Sequence, residues 1–186
     1  MTTSLSHADN ISKKNDITEK EVNEAQQAWC TGLVKISKAY KEGGNYRQLA
    51  IDFINNLYDF EEGRVFFRPT LAMAPRNFRT TMPGALSYFV GEDPNFPDDK
   101  GFIKLGWISA RYDNVIEGKD AIQIHGNIGI AMGNVYLSNE EVSIGGRETI
   151  VDKVFVYRKD EEDGKLRLIV HNSAVSNLPP TEVPEG

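Results

Sequence analysis

His171 and Ser173 stand two residues apart in the run Leu166-Arg-Leu-Ile-Val-His-Asn-Ser173, which alternates apolar and polar side chains. Successive strand residues point to opposite faces, so this spacing sets an imidazole and a hydroxyl side by side, on the face that also carries Ile169. A base beside a hydroxyl on an apolar wall can move a proton. The same pattern also describes a core histidine with a satisfied hydrogen bond, and the run taken alone favours that plainer reading.

Two further hydroxyls are oddly placed for mere surface. Thr70 closes Phe66-Phe-Arg-Pro-Thr-Leu71, whose apolar neighbours draw it inward, although a turn or cap hydroxyl is the simpler account of it in isolation. Tyr88 lies in Gly84-Ala-Leu-Ser-Tyr-Phe-Val-Gly91, a segment suited to closing a pocket mouth or to carrying a core tyrosine whose hydroxyl reaches outward. The chain has three histidines, His7, His125 and His171. A three-histidine zinc site would need His7, which falls in a polar arm, so no metal is expected. His125 is expected to fill a polar notch opposite Gly126, Gly129 and Gly133 within a strand. There is no Gly-rich phosphate loop, no cysteine pair and no His-Glu-x-x-His motif.

The elements that must position these groups follow from periodicity. Thr18 and Glu21 form a capping-box signature, and Val22, Ala25, Trp29, Leu33, Ile36 and Tyr40 then recur at helical spacing up to Gly43-Gly44. A second stripe carries Tyr46, Leu49, Ala50, Phe53, Ile54, Leu57 and Tyr58 and stops near Gly63. Val65 to Pro69 reads as a short strand closed by proline, and Pro83 to Val90 as a short helix with Pro83 in its first turn. Four long runs rich in β-branched and aromatic residues follow, at about 102–116, 121–137, 148–158 and 166–173, with turn-rich connections. Helices grouped before an antiparallel meander indicate an α+β domain. Residues 1–17 read as a disordered arm, 18–176 as one domain and 177–186 as a flexible tail.

With 186 residues the chain can bury a sizeable core, and its net charge of −6, with Lys and Arg scattered, speaks against a nucleic-acid partner. The single cysteine, Cys30, sits in the first helical stripe as a small hydrophobe, which fits a reducing compartment. No run approaches the ~18 apolar residues of a membrane span, and the first residues carry neither a signal-peptide core nor a transit-peptide character. A cytoplasmic protein without membrane contact is expected.

Helices followed by a four-strand meander resemble the cone-shaped fold of the nuclear transport factor 2 superfamily, in which helices close the concave side of a curved antiparallel sheet. A closer resemblance rests on Ala28-Trp-Cys-Thr-Gly-Leu33, Phe66-Phe-Arg-Pro-Thr70, Gly84-Ala-Leu-Ser-Tyr-Phe-Val-Gly91, Ile130-Ala-Met-Gly-Asn-Val-Tyr136 and Leu168-Ile-Val-His-Asn-Ser173. In order and spacing these resemble the iota class of carbonic anhydrases, a group related to the association domain of calcium/calmodulin-dependent protein kinase II. That class typically ends its last strand His-His-Ser-Ser followed by Leu-Pro. Here the strand reads His171-Asn-Ser-Ala174, with Leu178-Pro179 displaced. Asn172 and Ala174 fall on the opposite strand face, so the departure spares the pocket face while removing a histidine that a metal site would use.

The resemblance implies carbon dioxide hydration to bicarbonate without metal or other cofactor, in a pocket lined by Thr70, Tyr88, His171 and Ser173. Phe66, Phe89 and Ile169 are candidate apolar walls for carbon dioxide. In this reading the hydroxyls hold a water while His171, with a reference pKa near 6.5, receives its proton. A homodimer is expected, because a sheet with one face under helices leaves the other needing cover. Two other classes compete: a non-catalytic oligomerisation module, and a binder or isomerase of larger organic ligands, which would need a pocket carboxylate.

Overall fold

The computed structural model describes residues 16–116, 118–141 and 148–176. The disordered arm (apart from its last two residues) and the flexible tail expected from sequence lie outside the described residues. Ile17, counted with the arm, is buried and donates its backbone N–H to the Gly126 carbonyl at 2.9 Å, so the packed chain starts before the first helix.

Helix α1 (Glu19–Lys41) begins at the predicted capping box: Thr18 accepts from the Glu21 backbone, and the Glu21 carboxylate accepts from the Thr18 backbone. Its inner stripe buries Val22, Gln26, Trp29, Cys30, Leu33, Ile36 and Ser37. The turn after it uses Gly43 at φ +70°, a left-handed conformation that glycine adopts without a Cβ penalty. Helix α2 (Tyr46–Leu57) is capped by Asn45 and hands the chain to Tyr58, whose extended backbone bridges Leu168. Strand β1 (Phe66–Arg68) stops at Pro69, as the missing N–H requires. Helix α3 (Met82–Val90) is capped by Thr81 and has Pro83 in its first turn.

The sheet departs from the expected meander in three places. The first long run is not one strand: Phe102–Leu105 makes a 3₁₀ turn ended by left-handed Gly106, and only then does β2 (Ser109–Asp113) begin. Trp107, just past that turn, is buried and donates its indole N–H to the Phe102 carbonyl. A small ribbon of β3 (Val115–Ile116) and β4 (Lys119–Asp120) follows. The second run is a hairpin, β5 (Ile122–His125) and β6 (Ile128–Ser138), turning at Gly126 with φ +60°. His125 therefore sits exposed at a hairpin end instead of filling a notch opposite the glycines. Finally, β1 joins β8 (Leu166–Val175) in parallel, so the sheet is mixed: β1-β8-β7-β6-β2, with β7 (Thr149–Lys159) in the middle and β5 also paired to β6.

The α+β class is as expected. Helices α1 to α3 cover one sheet face, and a single apolar core runs from Val22 through Trp29, Phe53, Phe67 and Phe89 to Phe155 and Leu168.

Candidate active site

Strand β8 delivers His171 and Ser173 to the inner face, where both are 1% exposed. A bulge lies just before them. Val156 pairs with Val170 but Tyr157 pairs with Leu168, so Ile169 is the extra residue. The bulge reverses the alternation, and Leu168, not Ile169, is buried on the face of His171. Ile169 is half-buried and leaves the wall it was expected to form. Strand parity corrects the other wall. On β1 the inward residue is Phe67, which stands in register with His171 and stacks on its ring at 4.4 Å, whereas Phe66 is 63% exposed on the outer face. Phe89 is fully buried, packing its ring against Phe67, Tyr58 and Phe53.

Each nitrogen of His171 has a partner. Nδ1 lies 2.9 Å from the Tyr58 hydroxyl, which itself accepts from the Trp29 indole N–H at 2.9 Å. Nε2 lies 2.9 Å from both Lys153 Nζ and Ser173 Oγ, and Lys153 Nζ donates to Ser173 Oγ at 2.6 Å. Register explains this triangle: on adjacent β7, Lys153 stands opposite Ser173 and Phe155 opposite His171. The Phe155 ring meets the imidazole edge-on at 4.7 Å, and the Lys153 ammonium position lies 4.8 Å from the Trp29 ring centre.

Burial dominates the electrostatics. It holds the His171 imidazole well below its ordinary value, with the neighbouring Lys153 pushing the same way. It also brings the Lys153 amine down to about 7, with Cys30 opposing that shift. Cys30 itself is buried and driven up to about 12, the inert packing thiol that its helical position predicts.

Thr70 and Tyr88 form a second pair. Burial raises the Tyr88 phenol, and the Thr70 side chain, with the Thr70 and Leu71 backbone, opposes that shift. Neither Thr70 Oγ1 nor Tyr88 OH meets a protein partner at hydrogen-bonding geometry, although both atoms are buried. The Phe67 ring packs edge-on against Tyr88 at 5.5 Å while stacking on His171, so it stands as the common wall of the two pairs. The structure thus brings His171 to Ser173 and Thr70 to Tyr88, and no described hydrogen bond joins the two pairs. Close to Tyr88, Asp99 is buried but closed off, bridged by Arg79 at 2.6 Å and by the Ser87 hydroxyl at 2.7 Å.

Sequence reasoning missed Lys153 and Tyr58. Tyr58 was legible only as the last member of an apolar helical stripe. Lys153 did leave a signal: it shares strand parity with Val151, Phe155 and Tyr157, all inward-facing. A lysine at a core parity position is costly unless it has a task.

Residues 20–175 match the family model described as metal-independent carbonic anhydrase. The chain belongs to that family. It is 44% identical over 161 residues to a metal-independent carbonic anhydrase of Nostoc sp. (strain PCC 7120), covering 86% of this chain and 74% of that one. Among solved structures it is similar to the iota-carbonic anhydrase from a cyanobacterium complexed with bicarbonate, at TM-score 0.80 and 42% identity, covering 89% of this chain and 96% of that chain. Among the described residues, no group of three or more His, Cys, Asp or Glu side chains is placed to hold a metal ion, and no helix is long and apolar enough to cross a membrane.

Proposed function

We propose that this protein catalyses the reversible hydration of carbon dioxide to bicarbonate and a proton, without a metal cofactor, in the aromatic-walled site around Thr70, Tyr88, His171 and Ser173. The observation that carries this reading is the pair of buried, unpartnered hydroxyls on Thr70 and Tyr88. Buried polar atoms are normally satisfied, and a pair left open in an apolar pocket is a place for a small polar guest. A water held there can attack carbon dioxide packed against Phe67 and Phe89. The same donors then meet the negative oxygens of bicarbonate, with no reorganisation needed at the moment of reaction. His171 is neutral in this environment, so its part is to orient Ser173, not to store a proton.

The test is carbon dioxide hydration by chelator-treated protein with metal content assayed in parallel. Activity is expected to persist after exhaustive chelation; activity that vanishes with EDTA and returns with zinc or manganese overturns the metal-free reading. The isomerase alternative is disfavoured because Asp99, the carboxylate buried beside Tyr88 among the described residues, is already committed to Arg79 and Ser87.

The protein works as a homodimer in this reading, in a reducing, cytoplasmic setting that suits the buried thiol of Cys30. Support for the dimer comes from the sheet face away from the helices, where Phe66 and Met132 are exposed and where Met132, Val154, Asn172 and Ala174 line a shallow groove.

A further inference from the structure

Hydration must put a proton somewhere, and the buried groups differ in their fitness to take it. Lys153 is 3% exposed, and no carboxylate among the described residues pairs with it. The groups that face it are the Trp29 ring and the Cys30 thiol from α1, Tyr112 from β2 with its hydroxyl 3.4 Å from the Lys153 carbonyl, and His171 and Ser173 from β8, with Tyr58 behind His171. None of them supplies a formal negative charge at neutral pH. A buried ammonium with no counter-ion is expensive, so a neutral amine is the resting form the site favours.

Counting hydrogens gives the same answer by a separate route. The Tyr58 oxygen accepts from Trp29, and its own hydrogen has one acceptor within reach, Nδ1 of His171. The imidazole then carries its hydrogen on Nε2, where it faces Ser173 Oγ and Lys153 Nζ. A charged ammonium 2.9 Å from that N–H would set donor against donor. An amine, with a lone pair, fits. If Lys153 gains a proton, Nε2 must become the acceptor, the ring hydrogen moves to Nδ1, and the Tyr58 hydroxyl loses its acceptor.

We propose that the Lys153 amine is the acceptor of the proton released on hydration, reached through Ser173, and that its charge state sets which nitrogen of His171 is protonated. This rests on the carbonic anhydrase reading above. As the water oxygen forms its bond to the carbon of carbon dioxide, one water O–H bond breaks and its proton passes to a second water, bridging past the Phe67 ring, which gives one of its own protons to Ser173 Oγ. The amine's lone pair turns from Nε2–H to the serine hydroxyl, whose O–H breaks as a third N–H forms on Lys153. The products are bicarbonate and the Lys153 ammonium, so the new cation appears as the anion does. Return to the amine discharges the proton to buffer. A Lys153 amine brought down to about 7 is poised for both directions, whereas His171 is held too low to keep a proton.

Two measurements test this. In isotope-labelled wild-type protein, ¹⁵N signals of the His171 ring are followed from about pH 5.5 to about pH 9, the range bracketing the ordinary imidazole value. The ring is expected to stay neutral and to move its hydrogen from Nδ1 to Nε2 as pH rises through about 7. One unchanging tautomer, or a plain change from imidazolium to imidazole, overturns the coupling. Second, Lys153→Met is expected to lower kcat about a hundredfold or more, the lower scale for a lost acid–base group, and to erase the pH inflection near 7. Folded variant with wild-type rate and profile overturns the acceptor role. Should Lys153→Met not fold, Lys153→Gln repeats the test with a polar side chain, and the wild-type spectra decide the coupling with no variant. A wild-type protein that does not hydrate carbon dioxide fails the functional reading instead, and the spectra still report on Lys153 and His171.

Discussion

Ser173 and Asn172 are neighbours in sequence with opposite fates: Ser173 bonds Lys153 and His171 in the core, while Asn172 is exposed on the outer face. Ser173→Ala is therefore expected to lose most hydration activity with the fold intact, and Asn172→Ala to lose little. Equal losses in a stopped-flow assay would show that the wrong strand face has been chosen. The same assay separates space-filling from chemistry at the second pair. Tyr88→Phe and Thr70→Val keep shape and delete one oxygen each, and a drop of about a hundredfold is expected, the scale of one lost oxyanion donor. Near-normal turnover in both would remove these hydroxyls from the site. How far the site could be read from sequence follows from these residues. The side-by-side placement of His171 and Ser173 was legible because strand side chains repeat every two residues. The partners of His171 were not, because Tyr58 lies 113 residues away and Lys153 lies 18 away, and such meetings are set by tertiary register alone. Thr70 and Tyr88 drew notice through their apolar neighbours, but only the family resemblance placed them in one pocket with His171.

At the level of elements, the helix starts were legible to within a residue, the first from the Thr18 cap, and Thr18, Asn45 and Thr81 each accept a backbone N–H from the first turn; the end of the second helix was not, since it stops at Leu57 and not near Gly63. The strands were less so. A 3₁₀ turn and a hairpin hid inside apolar runs, and the β8 bulge moved Ile169 off the site face, since alternation cannot announce an extra residue. The crossing of α1 and α2, which carries Trp29 toward Tyr58, depends on Gly32. A Cβ there would lie 2.5 Å from Cδ2 of the Phe53 ring, a distance real side chains do not tolerate. Gly32→Ala would gain up to about 1 kcal/mol of helix propensity. Overpacking of the crossing costs about 1–3 kcal/mol, so net destabilisation is expected. Urea unfolding that shows Gly32→Ala equal to or more stable than wild type would mean that the helices part without penalty.

For the molecule as a whole, the sheet is asymmetric: one face is sealed by three helices, and the other presents Phe66 and Met132 to solvent. Homodimerisation through that face predicts that Phe66→Asp shifts the protein toward monomer in sedimentation velocity, since a charge there would be stranded in an apolar contact. A wild-type protein that sediments as a monomer at micromolar concentration rejects the dimer. The placement of β8 also governs when the protein can become itself. Trp29 and Tyr58 are among the first core residues to leave the ribosome, but the imidazole that Tyr58 bonds follows 113 residues later. At about 5–20 residues per second, that is a delay of roughly 6–23 seconds. Throughout it the aromatic inner face has no β8 to close against, and β1 has no strand to pair with. A growing chain of this protein is thus a sticky, inert object until almost its last strand is made, and its dependence on chaperones should be concentrated in that interval.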